Sequence, residues 1–178
     1  MSAAGPGLPA PHDADAPYAV ALVCLGNICR SPMAEVVLRD RLQRRGMADA
    51  VQVQSAGTGD WHVGQGMDAR AARTLSRAGY DGSRHRARTV TPGWLGSQDL
   101  VLVMDHENLQ DVLAAMPPEA DPDRVRMFRR FDPDSADDAD VPDPWYGGYD
   151  GFADVLAVIE RTSDALAAAL ADTVSTGR

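Results

Sequence analysis

A chain of 178 residues is long enough to bury the core of one domain of ordinary size. Its net charge of −9 argues against nucleic acid as a partner, and no apolar run approaches the length of a membrane-spanning helix. The two cysteines lie in one short stretch and the four histidines are scattered, so neither a disulfide framework nor a metal or other cofactor is expected.

Residues 1–16 are rich in Ala, Gly, Pro and Asp and contain no apolar block. This composition predicts a disordered tail rather than a signal peptide or a membrane anchor. We therefore expect a single domain over residues 17–178 and a cytoplasmic protein, with secretion by a non-classical route left open. The oligomeric state is left open as well.

Apolar runs alternate with helical patterns along the rest of the chain. Strands are predicted at residues 18–24, 51–55, 99–104 and 124–128. Helices are predicted from the first strand to about Gly46, over about 67–79, and briefly after the third strand. A last helix carries an apolar stripe formed by Phe152, Val155, Leu156, Ile159, Leu166 and Leu170. This alternation favours a parallel sheet with helices on both faces, whose ligands bind at the carboxyl ends of the strands.

The loop after the first predicted strand has the sequence Cys24-Leu25-Gly26-Asn27-Ile28-Cys29-Arg30-Ser31. The start of a helix attracts a dianionic phosphate through its unpaired N–H groups and its partial positive charge. Gly26 and Asn27 favour backbone conformations that turn consecutive N–H groups inward, and Arg30 can hold two phosphate oxygens at once. The same positive field favours the thiolate form of Cys24, which is a nucleophile. This pattern predicts phosphoryl transfer through a cysteine.

Ser31 and Pro32 predict where the following helix begins, because serine is a good N-cap and proline suits the first helical position. A simpler interpretation makes Cys24 a small core residue and Arg30 a surface side chain. The fitting Gly, Asn, Ser and Pro residues between a strand and a helix favour the anion site instead. A nucleotide-binding P-loop is excluded, because the Gly-Lys-Ser/Thr ending is missing.

Several motifs occur together in register. Residues 23–35 resemble the signature loop of the low-molecular-weight protein tyrosine phosphatases, and the resemblance extends to residues 55–61, 85–88, 104–105 and 143–147. It covers about residues 18–172. The resemblance implies a three-layer, doubly wound, flavodoxin-like α/β fold with a four-stranded parallel sheet in the order 2-1-3-4. It also implies hydrolysis of phosphotyrosine in proteins, and of aryl phosphates, through a cysteinyl-phosphate intermediate.

The resemblance further implies roles for individual residues. Cys24 takes the position of the nucleophile, Arg30 that of the phosphate ligand, and Asp143, between two prolines, that of the general acid. Substrate binding is expected from the loop and from aromatic residues on other predicted loops: Leu25, Gly26, Asn27, Ile28, Cys29, Ser31, Trp61, Trp145 and Tyr146. A supporting hydrogen-bond network is expected from the residues that match the family's network: Asn27, Ser31, Ser55 and His85.

Some interpretations stay open. Cys29 is either a buried filler or, as in the family, the partner of Cys24 in a reversible disulfide. Half of residues 132–143 are Asp, and most of this stretch is expected to be a solvated loop. A thiol-dependent arsenate reductase has the same fold and the same cysteine-arginine anion site, but its chemistry needs further cysteines. A phosphate-binding module without catalytic activity would keep Arg30 but would have little need for Cys24 together with Asp143.

Overall fold

The structure is a computed structural model that describes residues 7–146 and 149–176, without the side chains of Tyr146 and Tyr149. In the described chain, four parallel strands form one sheet in the order β2-β1-β3-β4, which confirms the predicted topology. The strands are β1 Tyr18–Cys24, β2 Val51–Gly57, β3 Leu100–Val103 and β4 Val125–Met127. The α-helices are α1 Arg30–Arg44, α2 Ala69–Arg77, α3 Pro92–Gly96, α4 His106–Ala115 and α5 Tyr149–Thr176.

The sheet is covered on both faces, which explains why its strands are apolar without interruption. In β1, Val20 and Leu22 pack into a core shared with α1, α2 and α5. Their neighbours Ala21 and Val23 point to the opposite face and pack with Leu95 and other residues of α3 and α4. The molecule therefore has three layers, and the central strand β1 is buried on both sides.

Helix α3 is the one α-helix of the described chain that the sequence pattern does not predict. It has only five residues, and two of them are glycines that interrupt any apolar period. Its start is nevertheless well formed, because the Thr91 hydroxyl accepts a hydrogen bond from the Trp94 amide at 3.2 Å and Pro92 occupies the first turn.

Residues 7–16, here called the N-terminal strap, differ from the predicted disordered tail. Both the amide and the Nδ1 atom of His12 lie 2.7 Å from Asp99 Oδ1, and the other oxygen of that carboxylate accepts from the Ala19 amide at 2.8 Å. The Tyr18 hydroxyl donates to Pro9 O at 2.9 Å. These contacts lie at the amino ends of the strands, opposite the expected site. Residues 1–6 lie outside the described residues.

One aspartate of the acidic stretch is part of the core rather than of a solvated loop. The side chain of Asp132 is fully buried, with Arg161 Nε 2.7 Å from its Oδ1 and Arg129 Nε 3.1 Å from its Oδ2. The hydrogen bonds from Arg161, followed by those from the Asp134 amide and Arg129, outweigh burial and lower the pKa of Asp132 to about 2. The solvated loop expected for most of this stretch therefore does not include Asp132, because Arg129, three residues earlier, and Arg161 of α5 meet at its carboxylate.

None of the described helices combines the length and the apolar composition that crossing a bilayer requires.

Candidate active site

The loop between β1 and α1, residues 24–30, is called the anion loop. Cys24 ends β1, and α1 begins at Arg30, so the loop lies at the carboxyl end of the central strand. Asn27 has a left-handed backbone with φ 56°, a conformation that Asn adopts more readily than most residues. Its amide nitrogen lies 3.3 Å from Cys24 Sγ and donates to it.

The helix start differs from the prediction. Cys29 is the N-cap residue and makes no side-chain capping bond, while Ser31 already lies within α1. The Ser31 hydroxyl is 3.0 Å from Cys24 Sγ, so it serves the cysteine rather than the helix terminus.

Two glycines make room for the loop. Gly26 does not have the left-handed backbone that its sequence context suggested; a side chain there would instead come within 3.1 Å of the His62 ring. At Gly57, at the end of β2, an added Cβ would lie 2.6 Å from Leu25 O and 3.1 Å from the Asn27 amide. The end of β2 therefore supports the anion loop by direct backbone contact, which only glycine permits.

A chain of hydrogen bonds runs beneath the loop, and its donors can be assigned. Asn27 Nδ2 has two hydrogens, which go to Ser31 Oγ at 2.8 Å and Ser55 Oγ at 3.0 Å. Ser55 passes its own hydrogen to Glu35 Oε2 at 2.6 Å. Since Ser31 Oγ accepts from Asn27, its hydrogen is left for Cys24 Sγ. We call this set the relay, because it ends by presenting the Ser31 hydroxyl as a hydrogen-bond donor to the Cys24 sulfur.

His85 fixes the other side of Asn27. Its Nε2 atom lies 2.6 Å from Asn27 O, a carbonyl that can only accept, so Nε2 carries the hydrogen. Burial lowers the pKa of His85 below its usual value, and the bond to Asn27 and the nearby Glu35 carboxylate offset this only in part. The neutral ring therefore holds the left-handed residue in place at neutral pH.

Arg30 is buried and firmly placed. Its Nη1 atom donates to Asp105 Oδ2 at 2.7 Å and to Val141 O at 3.0 Å, and its Nη2 atom lies 3.6 Å from Asp143 Oδ2. Burial alone would lower the pKa of Arg30, but Cys24, Asp105 and Asp143 outweigh it and raise the pKa. The guanidinium is therefore charged and oriented before any substrate arrives.

The segment 141–146, called the acid loop, brings Asp143 to this guanidinium. The amide of Val141 donates to Met104 O, the residue that follows β3, at 2.6 Å. Asp143 Oδ1 accepts from the Trp145 amide at 3.0 Å, and about a third of the Asp143 side chain is exposed. The carboxyl group is thus held at the edge of the site while still able to meet a ligand.

A cavity of about 190 Å³ opens above Cys24. Its lining contains most of the residues predicted from the sequence, together with His62: Cys24, Leu25, Gly26, Ile28, Cys29, Arg30, Trp61, Asp143 and Trp145. Trp61 is 67% and Trp145 41% exposed, so both rings stand at the mouth rather than in the core. Asn27, Ser31 and Ser55 lie beneath the loop, and the side chain of Tyr146 lies outside the described part.

A larger cavity of about 710 Å³ lies on the other side of the relay, between α1 and residues 79–88. Ser55, Glu35 and His85 line it, whereas Cys24 and Arg30 do not. Size alone would favour this cavity, but the smaller one contains Cys24, Arg30 and Asp143, the predicted nucleophile, phosphate ligand and general acid, and is therefore the candidate site.

Both cysteines are free thiols and buried. Burial raises the pKa of Cys29, and the neighbouring Asp68, Cys24 and Asp143 raise it further. Cys29 is therefore a protonated thiol at neutral pH. Within residues 7–146 and 149–176, no three His, Cys, Asp or Glu side chains are grouped in a way that could hold a metal ion.

Comparison with known proteins identifies this arrangement. Residues 19–176 match the family model described as low molecular weight phosphotyrosine protein phosphatase. The chain belongs to this family. A low molecular weight protein-tyrosine-phosphatase of Streptomyces coelicolor is 45% identical over 158 residues, which are 88% of this chain and 96% of that protein. The match confirms the family and the enzyme class that the sequence motifs predicted.

Solved structures agree with this assignment. A protein tyrosine phosphatase from Entamoeba histolytica with Hepes in the active site superposes with a TM-score of 0.81 and 30% identity. The match covers 87% of this chain and 97% of the Entamoeba chain. The YwlE arginine phosphatase superposes with a TM-score of 0.75 and 28% identity over 84% of this chain and 93% of its own. That structure is of a Cys-to-Ser mutant with a phosphorylated active site serine.

The structure of this phosphatase also reveals four site residues to which sequence reasoning gave no role. Asp105 holds Arg30, and Glu35 accepts from Ser55. His62 lines the cavity, and the Arg70 guanidinium lies over the Trp145 ring. One signal was available for Asp105, which follows β3 at the carboxyl edge of the sheet, beside the end of β1. The other three depend on tertiary contacts with no local signature.

Proposed function

We propose that this phosphatase hydrolyses phosphotyrosine in protein substrates by transferring the phosphoryl group to Cys24, with Asp143 as the general acid. One observation carries the proposal: the Cys24 sulfur has hydroxyl and amide donors at 3.0 and 3.3 Å and shares one small cavity with Arg30 and Asp143. A nucleophile, a fixed positive charge and a proton source thus face the same volume.

In the first step, Cys24 Sγ attacks phosphorus and the bond between phosphorus and the phenolic oxygen breaks. Arg30 and the amides of the anion loop hold the other phosphate oxygens as their charge is redistributed. Asp143 gives its proton to the departing oxygen, so the product is a neutral phenol rather than a phenolate. The enzyme is left with a sulfur-linked phosphoryl group and an ionised Asp143.

In the second step, a water molecule attacks the same phosphorus from the face that the phenol has left. Asp143 takes a proton from this water and returns to its acid form. The bond between sulfur and phosphorus breaks and the electron pair stays on sulfur. The Ser31 hydroxyl, which points its hydrogen at Cys24, stabilises the thiolate that leaves.

The depth of the cavity supports phosphotyrosine as the substrate. Only 3% of Cys24 is exposed, and the exposed rings of Trp61 and Trp145 stand at the mouth. An aryl phosphate reaches farther from a peptide backbone than a phosphoserine does, and its ring can pack against these indoles. Two buried free thiols in one loop fit a reducing compartment, so we place the reaction in the cytoplasm.

The covalent step is tested with Cys24→Ser and a phosphotyrosine peptide. We expect this variant to bind the peptide without turnover, and acid quenching of the wild type to trap one phosphoryl group on the peptide that contains Cys24. Turnover by Cys24→Ser, or phosphate on another residue, would overturn the mechanism. Cys29→Ser serves as the matched control, because its protonated thiol is not expected to carry phosphate.

The substrate is tested by comparing peptides that differ only in the phosphorylated residue. We expect kcat/KM to be highest for phosphotyrosine and far lower for phosphoserine. A phosphoarginine peptide is the third arm, since a structural neighbour is an arginine phosphatase. A preference for phosphoarginine would reject the proposed substrate while leaving the cysteine mechanism intact.

A further inference from the structure

Arg70, in the first turn of α2, lies between the anion loop and the acid loop. Its guanidinium carbon is 5.3 Å from the centre of the Trp145 ring and 4.8 Å from that of Phe152 on α5. Both distances are typical of a cation packed over an aromatic face. One side chain therefore joins α2, α5 and the acid loop.

On one side, Arg70 is tied to the anion loop through Asp68. Arg70 Nε and Nη2 each lie 3.3 Å from an oxygen of the Asp68 carboxylate, in a two-pronged pairing. The Asp68 carboxylate also caps α2, and the Asp68 amide donates to Ile28 O at 2.9 Å. The orientation of the guanidinium is thus set relative to the anion loop.

On the other side, Arg70 reaches the proposed acid through a single residue. Arg70 Nη1 donates to Trp145 O at 3.3 Å, and the Trp145 amide donates to Asp143 Oδ1 at 3.0 Å. Arg70 therefore contacts both the carbonyl and the ring of Trp145, while the Trp145 amide is bonded to Asp143. The prolines on each side of Asp143 stiffen the backbone, so a shift of Trp145 would move the carboxyl group with it.

We propose that Arg70 is a positioning residue for proton transfer: it holds Trp145, and thereby sets the place of Asp143 relative to the anion loop. The inference rests on the acid role proposed for Asp143 and adds the residue on which that role depends. The positioning role needs the shape of arginine, since a planar guanidinium can pack between two rings while its edge forms three hydrogen bonds. A lysine keeps the charge but not this geometry.

Dependence on the leaving group separates this role from a general loss of structure. A positioned acid matters most for a basic phenolate and little for an acidic one, and general acids contribute about 10²- to 10⁴-fold. For Arg70→Met we expect kcat/KM on phenyl phosphate to fall about tenfold, a part of that contribution. On an aryl phosphate with a strongly acidic phenol it should change less than about twofold. The ratio is taken within one variant, so the fraction of folded enzyme does not affect it.

Four further variants make the test decisive. Arg70→Lys should behave like Arg70→Met, while Arg77→Met, at an exposed arginine on the same helix, should match the wild type. Asp143→Asn should show a steeper dependence on the leaving group than Arg70→Met does. In the double variant Arg70→Met/Asp143→Asn, the loss of kcat/KM on phenyl phosphate should equal that of Asp143→Asn alone, because Arg70 acts through the carboxyl group already removed.

The outcomes separate the two proposals. If Asp143→Asn depends on the leaving group but Arg70→Met loses the same factor on every substrate, the positioning role is wrong and the acid role stands. Additive losses in the double variant would overturn the positioning role in the same way. If Asp143→Asn itself shows no dependence on the leaving group, the acid role of the proposed function fails, and this inference fails with it.

Discussion

The Asp105 carboxylate accepts a hydrogen bond from Arg30 Nη1 at 2.7 Å, across the carboxyl ends of two adjacent strands. The other oxygen of the same carboxylate accepts from the Asn108 amide at 2.8 Å and so caps helix α4. One side chain thus fixes both the start of a helix and the guanidinium that we propose binds the phosphate.

The charge of Asp105 can be removed without removing the cap, because asparagine is an equally good N-cap. A hydrogen bond to a charged group contributes about 1.5–3 kcal/mol, so we expect Asp105→Asn to lower kcat/KM about tenfold or more. Inhibition by vanadate should weaken in parallel, since Arg30 would be less well oriented. Glu107→Gln, in the first turn of the same helix, is the control. Unchanged vanadate affinity in Asp105→Asn would show that Arg30 does not need this partner.

Gly57 is predicted to tolerate no side chain. An added Cβ would meet Leu25 O at 2.6 Å, and overpacking of this kind costs about 1–3 kcal/mol. Gly57→Ala should lower the free energy of unfolding in urea by that amount and reduce kcat/KM by displacing the anion loop. Gly93→Ala is the matched control, because a Cβ there meets nothing within 4 Å. Equal stability of the two variants would contradict a direct backbone contact.

The neutral state of His85 predicts a dependence of stability on pH. Burial lowers the pKa of His85, so on acidification the unfolded chain takes up a proton before the folded protein does. The stability that His85 provides is therefore present above the usual histidine pKa of about 6.5 and is lost as the pH falls through the folded-state value. The free energy of unfolding should drop between about pH 7.5 and pH 5.5, and His85→Gln should flatten this part of the curve. If His62→Gln flattened it equally, the effect could not be assigned to His85.

Asp132 predicts a second transition at lower pH. Its pKa is lowered from 3.8 to about 2, chiefly by the hydrogen bonds from Arg161, which corresponds to about 2 kcal/mol of stability at neutral pH. Asp132→Asn should lose this amount at pH 7, and the difference from the wild type should vanish as the pH falls from about 4 to 2. Asp138→Asn, in the exposed part of the same stretch, is expected to be neutral. A constant difference at all pH values would show that packing, not charge, stabilises this position.

The strands of the sheet and the position of the anion loop could be predicted because each has a local signature. The apolar run of β1 and the eight residues from Cys24 to Ser31 place a strand, a turn and a helix next to one another. The alternation of strands and helices then indicates the edge of the sheet at which ligands bind. The strand order and the candidate acid came from the family resemblance, which several motifs carry together in the family's order and spacing. No single motif identifies either of them.

Other features depend on contacts that the sequence order does not reveal. Ser31 is a residue type that favours the N-cap position. In the structure, however, the side-chain amide of the left-handed residue Asn27 donates to the Ser31 hydroxyl, which in turn lies against Cys24. Asp132 lies among exposed aspartates and is buried only because Arg129 and Arg161 converge on it. The N-terminal strap is ordered by Asp99, more than 80 residues away along the chain. In each case contacts formed only in the folded structure override the preference that the local sequence suggests.

The acid loop lies late in the sequence, after all four strands of the sheet. Cys24 and Arg30 lie within the first 30 residues, whereas Asp143 follows β4. The Val141 amide ties its loop to Met104, and the Asp143 carboxylate lies beside Arg30 and accepts from the Trp145 amide. Phosphate binding needs the anion loop and an Arg30 side chain that Asp105 orients, whereas release of a phenol needs Asp143 in addition. Turnover is therefore a more demanding reporter of the complete fold than ligand capture.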